Sequence, residues 1–198
     1  MTEHPTLRAL SGLPVEPAGL ADSTLILIDC QNTYTQGVME LDGVQPALDE
    51  AALLLDRART AGIPVIHIQH DAGEGSPYDL TAENGQIVDR VAPRDSEPVV
   101  VKNFPNSFVH TELDRLLKES ETSNVVLAGF MTHMCVNSTA RGAFNLGYAP
   151  TVVAAATATR PLPSLGTQVA SADMQAASLA AMADLFAVVV GDGAAVPD

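Results

Sequence analysis

Apolar runs and amphipathic stretches alternate along the chain. Six runs with little polar alternation predict buried strands, because strands covered on both faces of a parallel sheet are apolar on both sides. Between them, apolar residues recur at helical spacing or the sequence turns polar and rich in Gly and Pro. The predicted strands are STLILIDCQ (23–31), PVIHIQHD (64–71), PVVVK (98–102), VVLA (125–128), APTVVAAAT (149–157) and LFAVVV (185–190), and the predicted helices are 44–61, 109–120, 136–146 and 169–184.

This alternation predicts the fold class. Strands joined by helical crossovers form a parallel sheet with helices on both faces, and the crossovers are right-handed. We therefore expect a three-layer α/β/α sandwich with a mostly parallel six-stranded sheet, a Rossmann-like architecture. No linker or internal repeat divides the 198 residues, so a single domain is expected over 1–198, with 1–22 as an N-terminal lead segment. Segments 71–98 and 159–166 are predicted to be loops.

Composition narrows the class of partner. Apolar residues make up 46% of the chain, but no apolar run approaches the ~20 residues that a membrane-spanning helix needs. The formal net charge of −14 disfavours nucleic acid or an anionic membrane surface as a partner, because both are polyanions. A small-molecule substrate is the partner class that remains.

The cysteines and the N-terminal residues bear on the compartment. Cys30 and Cys135 are the two cysteines, too few for a disulfide framework and without CxxC spacing, so both are expected to be reduced. The first 19 residues contain acids and prolines and no continuous apolar core, unlike a signal peptide. A cytoplasmic location is expected.

Cys135 lies where the central predicted strand meets the following helix, in VVLAGFMTHMCV. A thiol at such a turn faces free N–H groups and the positive end of the helix dipole, which favour the thiolate. Residue type alone favours a plain buried cysteine. However, ligands of open α/β sheets bind outside the carboxyl ends of the strands, and this position favours a nucleophile.

Asp29 and Lys102 end two other predicted strands, so the sheet would bring them to the same edge as Cys135. A partly buried carboxylate with a raised pKa can remove the thiol proton, and an ammonium group stabilises the resulting anions. Taken singly, Asp29 is more often a capping carboxylate and Lys102 a solvated charge. Their coincidence with Cys135 predicts a catalytic set.

The chain resembles the isochorismatase-like cysteine hydrolase superfamily, in particular its amidase-type members. The resemblance rests on LILIDCQNTY with Asp29, VVVKNFPNSF with Lys102 and VVLAGFMTHMCVNSTARGAFNLGY with Cys135, and it extends from about Thr24 to Val190. Its most specific part is GFMTHMCV. The resemblance implies that the aspartate, the lysine and the cysteine form a catalytic triad.

The resemblance implies further features of the site. The backbone N–H groups of Met131 and Cys135 would form an oxyanion hole, and the peptide bond between Phe130 and Met131 would be cis. The implied reaction is hydrolysis of an amide or carbamoyl C–N bond in a small molecule through a thioester acyl-enzyme. No cofactor is required, and a homo-oligomer of two or more chains is expected, for which the segments 140–147 and Ala-rich 170–184 offer small apolar faces.

Two positions depart from the family pattern. Members often carry an acid at the position of Ala155 and a histidine at that of Gln175, so the resemblance assigns no secondary role to those positions here. The nicotinamidase branch usually has an Asp-x-His motif and a further histidine for a metal. No such spacing follows the first long helix here, which disfavours a nicotinamidase.

Metal and nucleotide cofactors have little support. His67 and His70 are three residues apart on a predicted strand and would point to opposite faces, so no metal site is predicted even with Asp71 nearby. The glycines lack the spacing of a dinucleotide-binding or P-loop motif.

Aromatic residues near the strand ends are candidates for an apolar pocket wall, although ordinary loop anchoring explains any one of them equally well. His133, next to the nucleophile turn, either lines the pocket or is a partly exposed turn residue. The substrate-pocket candidates are Tyr34, Tyr78, Phe104, Phe108, Phe130 and His133.

Two other functions are weighed against amide hydrolysis. One is an isochorismatase-type hydrolase of a non-amide bond; such members typically lack the cysteine, so Cys135 argues against it. The other is a catalytically silent scaffold of the same fold, which an inert thiol would favour. The substrate itself has no signature in the sequence.

Overall fold

The computed structural model describes residues 4–198. Each predicted apolar run forms a strand, and the strands join in one six-stranded sheet whose neighbours are all parallel. They are β1 (Ser23–Ile28), β2 (Val65–His70), β3 (Val99–Lys102), β4 (Asn124–Phe130), β5 (Ala149–Ala158) and β8 (Val188–Val190), with a separate hairpin, β6 (Leu162–Ser164) and β7 (Thr167–Val169), between β5 and β8. The order across the sheet is β3–β2–β1–β4–β5–β8. The order reverses between β1 and β4, so the switch point, where α/β sheets bind ligands, lies at their carboxyl ends.

Helices cover both faces of the sheet, which confirms the three-layer sandwich. Alternate residues of β1 explain why the strand is apolar throughout: Leu25 and Leu27 pack with Leu48, whereas Ile26 and Ile28 pack in a second cluster with Leu113. No helix within residues 4–198 is both long and apolar enough to cross a membrane. The α-helices are α1 (Leu7–Leu10), α2 (Val44–Ala61), α3 (Leu113–Glu119), α4 (Asn137–Asn145) and α5 (Ser171–Ala183).

Several predicted boundaries shift, and two of the differences change an element. The helix predicted from 109 begins only at Leu113, because His110 takes a positive φ of 56° that interrupts the helical backbone. The segment 159–166 was predicted to be a loop, but part of it forms β6, which pairs antiparallel with β7. Leu165 and Gly166 between these strands both have positive φ, of 47° and 81°, as a tight hairpin turn requires.

The N-terminal lead packs on the end of α5. The N–H of Leu7 donates to the carboxylate of Asp184 at 2.9 Å, and Nη1 of Arg8 donates to the carbonyl of Leu185 at 3.0 Å. Arg8 is buried, so the lead belongs to the folded body over the described residues.

A partly buried ion pair joins the end of α2 to the loop before β3. Nε and Nη2 of Arg59 each donate to Glu97 at 2.8 Å, and the buried His67 on β2 lies 3.0 Å from the same carboxylate. The Glu97 side chain is 8% exposed, and its hydrogen bond with the Arg59 guanidinium lowers the pKa of the carboxyl group to about 2. A carboxylate held this way stabilises the fold while it is ionised.

We expect Glu97→Gln to lower the free energy of unfolding by roughly 2 kcal/mol at pH 7. Because the pKa of Glu97 is depressed on folding, this stabilisation is complete above the ordinary value of 4.5 and is lost as the pH falls towards 2. Urea unfolding of both proteins at neutral and acidic pH measures the difference. Asp49→Asn, which removes the exposed pair with Arg90, is the control and should change stability little. A difference that stays constant down to pH 3 would contradict the prediction.

Candidate active site

Three strand ends bring Asp29, Lys102 and Cys135 together at the sheet edge. Asp29 follows β1, Lys102 ends β3, and Cys135 lies in the turn after β4. Nζ of Lys102 lies 2.7 Å from Oδ2 of Asp29 and 3.4 Å from Sγ of Cys135. The contact with Asp29 has an ion-pair distance but lies outside hydrogen-bond angles. The predicted juxtaposition is therefore present, with all three side chains buried.

His70 is a fourth member of this cluster. It ends β2, and its Nδ1 lies 3.0 Å from Nζ of Lys102. The three N–H bonds of an ammonium group thus have three neighbours: the carboxylate of Asp29, the sulfur of Cys135 and the ring of His70. Sequence reasoning considered His70 only as a metal ligand and missed this contact. Its position at a strand's carboxyl end was the signal that would have included it.

Gln31 fixes the position of His70. Its Oε1 accepts from the backbone N–H of His70 at 2.9 Å, and its Nε2 donates to the carbonyl of His70 at 2.9 Å and to that of Gly85 at 2.8 Å. Gln31 is fully buried, so each of these polar atoms needs its partner. The side chain after β1 therefore holds the end of β2 in place.

Burial decides the ionisation of the site. Burial raises the pKa of the Asp29 carboxyl group above its ordinary value, although the Lys102 ammonium opposes the shift. Burial also raises the pKa of the Cys135 thiol, and the neighbouring Asp29 charge adds to that effect. The prediction that the turn favours the thiolate is thus contradicted, because desolvation of the sulfur is the largest cause of the shift and it favours the neutral thiol. To ionise at neutral pH, the Cys135 thiol therefore needs a proton acceptor beside it.

The turn that carries Cys135 is a π-helical segment, Thr132–Val136, continuous with α4. The strand prediction stopped at Gly129, but β4 continues to Phe130, so the turn follows the strand directly. The N–H of Val136 donates to the carbonyl of Met131 at 3.2 Å, which closes this wide turn. Cys135 lies inside the turn and not at the first residue of a regular helix.

Of the two residues predicted to form the oxyanion hole, Met131 directly precedes this segment and Cys135 lies within it. The peptide bond between Phe130 and Met131 is cis, as predicted. Among the loop and turn hydrogen bonds formed within residues 4–198, the N–H groups of Met134 and Val136 donate to the carbonyl of Met131, whereas the N–H of Met131 forms none. Their role as oxyanion donors stays a prediction.

The cluster suits an ammonium group better than a metal ion. Ligand atoms of Asp29, His70 and Cys135 lie within 4.8 Å of one another, a spacing that a cation could bridge. However, Nζ of Lys102 already lies between 2.7 and 3.4 Å from an atom of each of these residues. A metal ion at that point would meet a like charge, so the donor set does not fit a metal centre.

Only some of the predicted aromatic residues lie together. The ring centroid of Tyr34 is 5.9 Å from that of Tyr78 and 5.7 Å from that of Phe130, and Tyr78 packs 4.8 Å from His70. Phe104 and Phe108 contact other aromatic residues. Phe104 packs near His110 at the surface, and Phe108 stacks on Tyr148 with ring centroids 5.9 Å apart. Tyr34, Tyr78 and Phe130 therefore form one wall beside His70.

His133 connects the turn to the segment after β5. Its Nδ1 lies 2.5 Å from Oγ1 of Thr159. Ala155 and Gln175, the two departures from the family pattern, line a surface cavity of about 420 Å³ together with Thr159. Nε2 of Gln175 donates to Oγ1 of Thr157 at 2.9 Å. Two larger cavities, of about 530 and 620 Å³, lie along α2 around Arg57 and contain no residue of the Asp29 cluster.

Cys30, the other thiol, lies in the opposite hydrophobic cluster and is 2% exposed. We expect Cys30→Ala to lower the free energy of unfolding by about 1 kcal/mol, because it removes a buried sulfur, and to leave turnover unchanged. Chemical unfolding together with a turnover assay measures both quantities. Loss of turnover without loss of stability would assign the nucleophile to Cys30.

The comparisons with known proteins identify the family of this chain. The family model described as "Isochorismatase domain" matches residues 23–192. The chain belongs to the isochorismatase family. An isochorismatase crystal structure from Pseudomonas putida KT2440 superposes with a TM-score of 0.95 at 35% identity, covering 98% of this chain and 100% of that one.

Two curated relatives differ in what their names describe. The secreted isochorismatase effector Isc1 of Verticillium dahliae is 31% identical over 93% of this chain and 96% of its own length. The ureidoacrylate amidohydrolase RutB of Stutzerimonas stutzeri is also 31% identical, over 73% of this chain and 75% of its own length. The isochorismatase-family assignment therefore confirms the predicted superfamily and its α/β fold, and makes this protein a hydrolase-family member.

Proposed function

We propose that this protein is a cysteine-dependent hydrolase of an amide or carbamoyl C–N bond in a small molecule. The observation that carries the proposal is the buried cluster in which Nζ of Lys102 lies 2.7 Å from the Asp29 carboxylate and 3.4 Å from the Cys135 sulfur. A thiol, a carboxylate with a raised pKa and a fixed cation are the parts that nucleophilic acyl transfer requires.

The first half of the reaction forms a thioester. The Cys135 thiol transfers its proton to the Asp29 carboxylate as the sulfur attacks the carbonyl carbon of the substrate. The raised pKa of Asp29 suits this role, because it brings the affinities of the carboxylate and the sulfur for the proton closer together. Lys102 stabilises the negative charge on the sulfur, and the N–H groups of Met131 and Cys135 stabilise the oxyanion. Asp29 then gives its proton to the nitrogen of the leaving amine as the C–N bond breaks.

The second half releases the acid. A water molecule attacks the thioester carbonyl, its proton passes to Asp29, and the sulfur of Cys135 leaves and is reprotonated. This cycle consumes one water and yields an acid and an amine or ammonia. It requires neither a metal nor an organic cofactor.

A relative with amidohydrolase activity supports the choice of bond. The name of the Stutzerimonas stutzeri relative describes an amidohydrolase of ureidoacrylate, a compound with a carbamoyl nitrogen. The presence of a thiol at position 135 argues in the same direction, since a cysteine nucleophile is suited to acyl transfer.

The test is a panel of small amides and carbamoyl compounds assayed for ammonia release with wild-type protein and with Cys135→Ala. We expect at least one compound to be hydrolysed by the wild type only. Rapid quenching with that substrate should trap a covalent adduct on the Cys135 peptide, which mass spectrometry locates. Ammonia release that persists in the variant would overturn the proposal.

The pH profile provides a further prediction. Because Asp29 must be ionised to accept the thiol proton and its pKa is raised, kcat/KM should fall on acidification with a midpoint above the ordinary value of 3.8. Measurement of kcat/KM between pH 4 and pH 8 gives this midpoint. Unfolding followed in parallel separates loss of activity from loss of structure. Full activity at pH 4 in folded protein would contradict Asp29 as the base.

A further inference from the structure

His70 is a partly buried histidine at the site that the proposed reaction leaves without a role. The sheet register pairs His70 directly with Lys102, so the two side chains project from the same face of neighbouring strands. Strand β3, which ends at Lys102, is the edge strand of the sheet and pairs only with β2. The position of Lys102 therefore depends on β2, whose last residue is His70.

The Lys102 ammonium group depends on acceptors supplied by the protein. Its side chain has no exposed surface, so bulk water does not reach the N–H bonds. Nζ meets Nδ1 of His70 at 3.0 Å and Sγ of Cys135 at 3.4 Å with hydrogen-bond geometry, whereas the closer Asp29 carboxylate lies outside hydrogen-bond angles. A buried N–H without an acceptor costs free energy. His70 therefore supplies the acceptor that, together with the sulfur, determines where the ammonium group points.

The contact also defines the protonation state of the His70 ring. An ammonium group can only donate, so Nδ1 accepts and carries no proton, and in the neutral ring the proton is on Nε2. Burial and the Lys102 charge lower the pKa of His70, which favours this neutral form. The other groups near the ring are two carboxylates, whose opposing effect on the pKa is smaller, a thiol and a phenol ring: Asp29, Asp71, Cys135 and Tyr78.

Lys102 links His70 to the nucleophile. The Lys102 charge and its hydrogen bond to the sulfur both oppose the rise in the pKa of the Cys135 thiol. This effect depends on the 3.4 Å contact between Nζ and Sγ. Loss of the Nδ1 acceptor would let the ammonium group move away from the sulfur, since the Asp29 carboxylate, 2.7 Å away, attracts it.

We propose that His70 is a positioning residue, whose Nδ1 accepts a hydrogen bond from Lys102 and so holds the ammonium group against the Cys135 sulfur. The inference rests on the proposed function and adds a residue to its machinery. His70 takes no part in proton transfer and acts only through Lys102. Its own position is fixed by Gln31, which hydrogen-bonds the N–H and the carbonyl of His70, and by Tyr78, which packs against the ring.

Two amide substitutions of His70 test this role. Asn can place its carbonyl oxygen near the position of Nδ1, whereas the longer Gln places its amide near that of Nε2. The rate at which iodoacetamide alkylates Cys135 at pH 7, followed by mass spectrometry of the Cys135 peptide, reports how well the site stabilises the thiolate. We expect His70→Gln to be alkylated about tenfold or more slowly than the wild type, and His70→Asn to stay within about threefold of it.

His67→Asn is the matched control, because it changes a buried histidine of the same strand that contacts Glu97. It should lower stability in urea and leave the alkylation rate of Cys135 unchanged. Thermal unfolding of all variants separates a change in the site from a loss of structure. A His70→Gln rate equal to that of the wild type, or a His70→Asn rate as low as that of His70→Gln, overturns the positioning role.

The outcomes separate this inference from the proposed function, because alkylation requires no substrate. Ammonia release by the wild type and by Cys135→Ala decides whether the protein is a cysteine-dependent hydrolase. Ammonia release that persists in Cys135→Ala, combined with slow alkylation of His70→Gln, would refute the hydrolase and keep the effect of His70 on the thiol. Equal alkylation of His70→Gln and wild type would remove the role of His70 and leave the proposed reaction intact.

Discussion

Cys135→Ala should reduce turnover by about 10⁴-fold or more while the protein stays folded. The sulfur is the atom that would form the acyl-enzyme, and no other thiol approaches the Asp29 and Lys102 pair, since Cys30 packs in the opposite hydrophobic cluster. Ammonia release under single-turnover conditions measures the loss. Thermal unfolding measures stability, which should change by only about 1 kcal/mol because a single buried atom is removed.

Asp29→Asn provides the matched test of the base. It keeps the shape of the side chain but cannot accept the thiol proton, so its turnover should be nearly as low as that of Cys135→Ala. The double variant should be no worse than either single one, because residues that act as a unit have non-additive effects. Additive losses would show that the two residues contribute independently and would contradict the proposed mechanism.

Gly129→Ala should be the most destabilising single substitution that we predict, with a loss of more than about 4 kcal/mol. Gly129 lies near the end of β4 with a φ of +116°, which L side chains rarely adopt. A Cβ at this position would lie 2.0 Å from the carbonyl oxygen of Ile28 on β1 and 2.7 Å from its nitrogen. These are backbone atoms of the central strand pair, so neither can move without disturbing the sheet.

Gly147→Ala is the control for this prediction. Gly147 also has a positive φ, +91°, but a Cβ there would have no atom within 4 Å. Its replacement should therefore cost only about 1 kcal/mol of backbone strain. Expression in soluble form and urea unfolding compare the two variants. If Gly129→Ala unfolds at the same urea concentration as Gly147→Ala, the close approach of β4 to β1 does not limit the choice of residue.

The close approach of β4 to β1 at Gly129 also affects the candidate active site. Ile28 precedes Asp29, and Gly129 precedes the turn that contains Cys135. The absence of a side chain at position 129 lets the two central strands approach at the switch point. The same contact that determines stability therefore also determines the separation of the base and the nucleophile.

Local pattern was sufficient to predict the fold and the three residues at the centre of the site. The β1 run is apolar at every position because alternate side chains enter two different hydrophobic clusters, and this is visible in the sequence as the absence of polar alternation. Helix α2 has its predicted bounds, 44–61, and ends at Gly62, which takes the left-handed conformation of a helix terminator. Strand ends in a parallel sheet share one edge, so Asp29, Lys102 and Cys135 could be grouped before any distance was known.

Several properties of the site depended on tertiary contacts between distant parts of the chain. His70 approaches Lys102 across 32 residues, and Gln31 holds the end of β2 across 39, so neither role has a local pattern. The thiol of Cys135 has a raised pKa because the folded protein removes water from it and places the Asp29 charge beside it. Folding also buries the Nε of Arg160, which has no hydrogen-bond partner within residues 4–198. Burial and through-space charge arise from packing, and residue order alone does not specify which polar groups lose their contact with water.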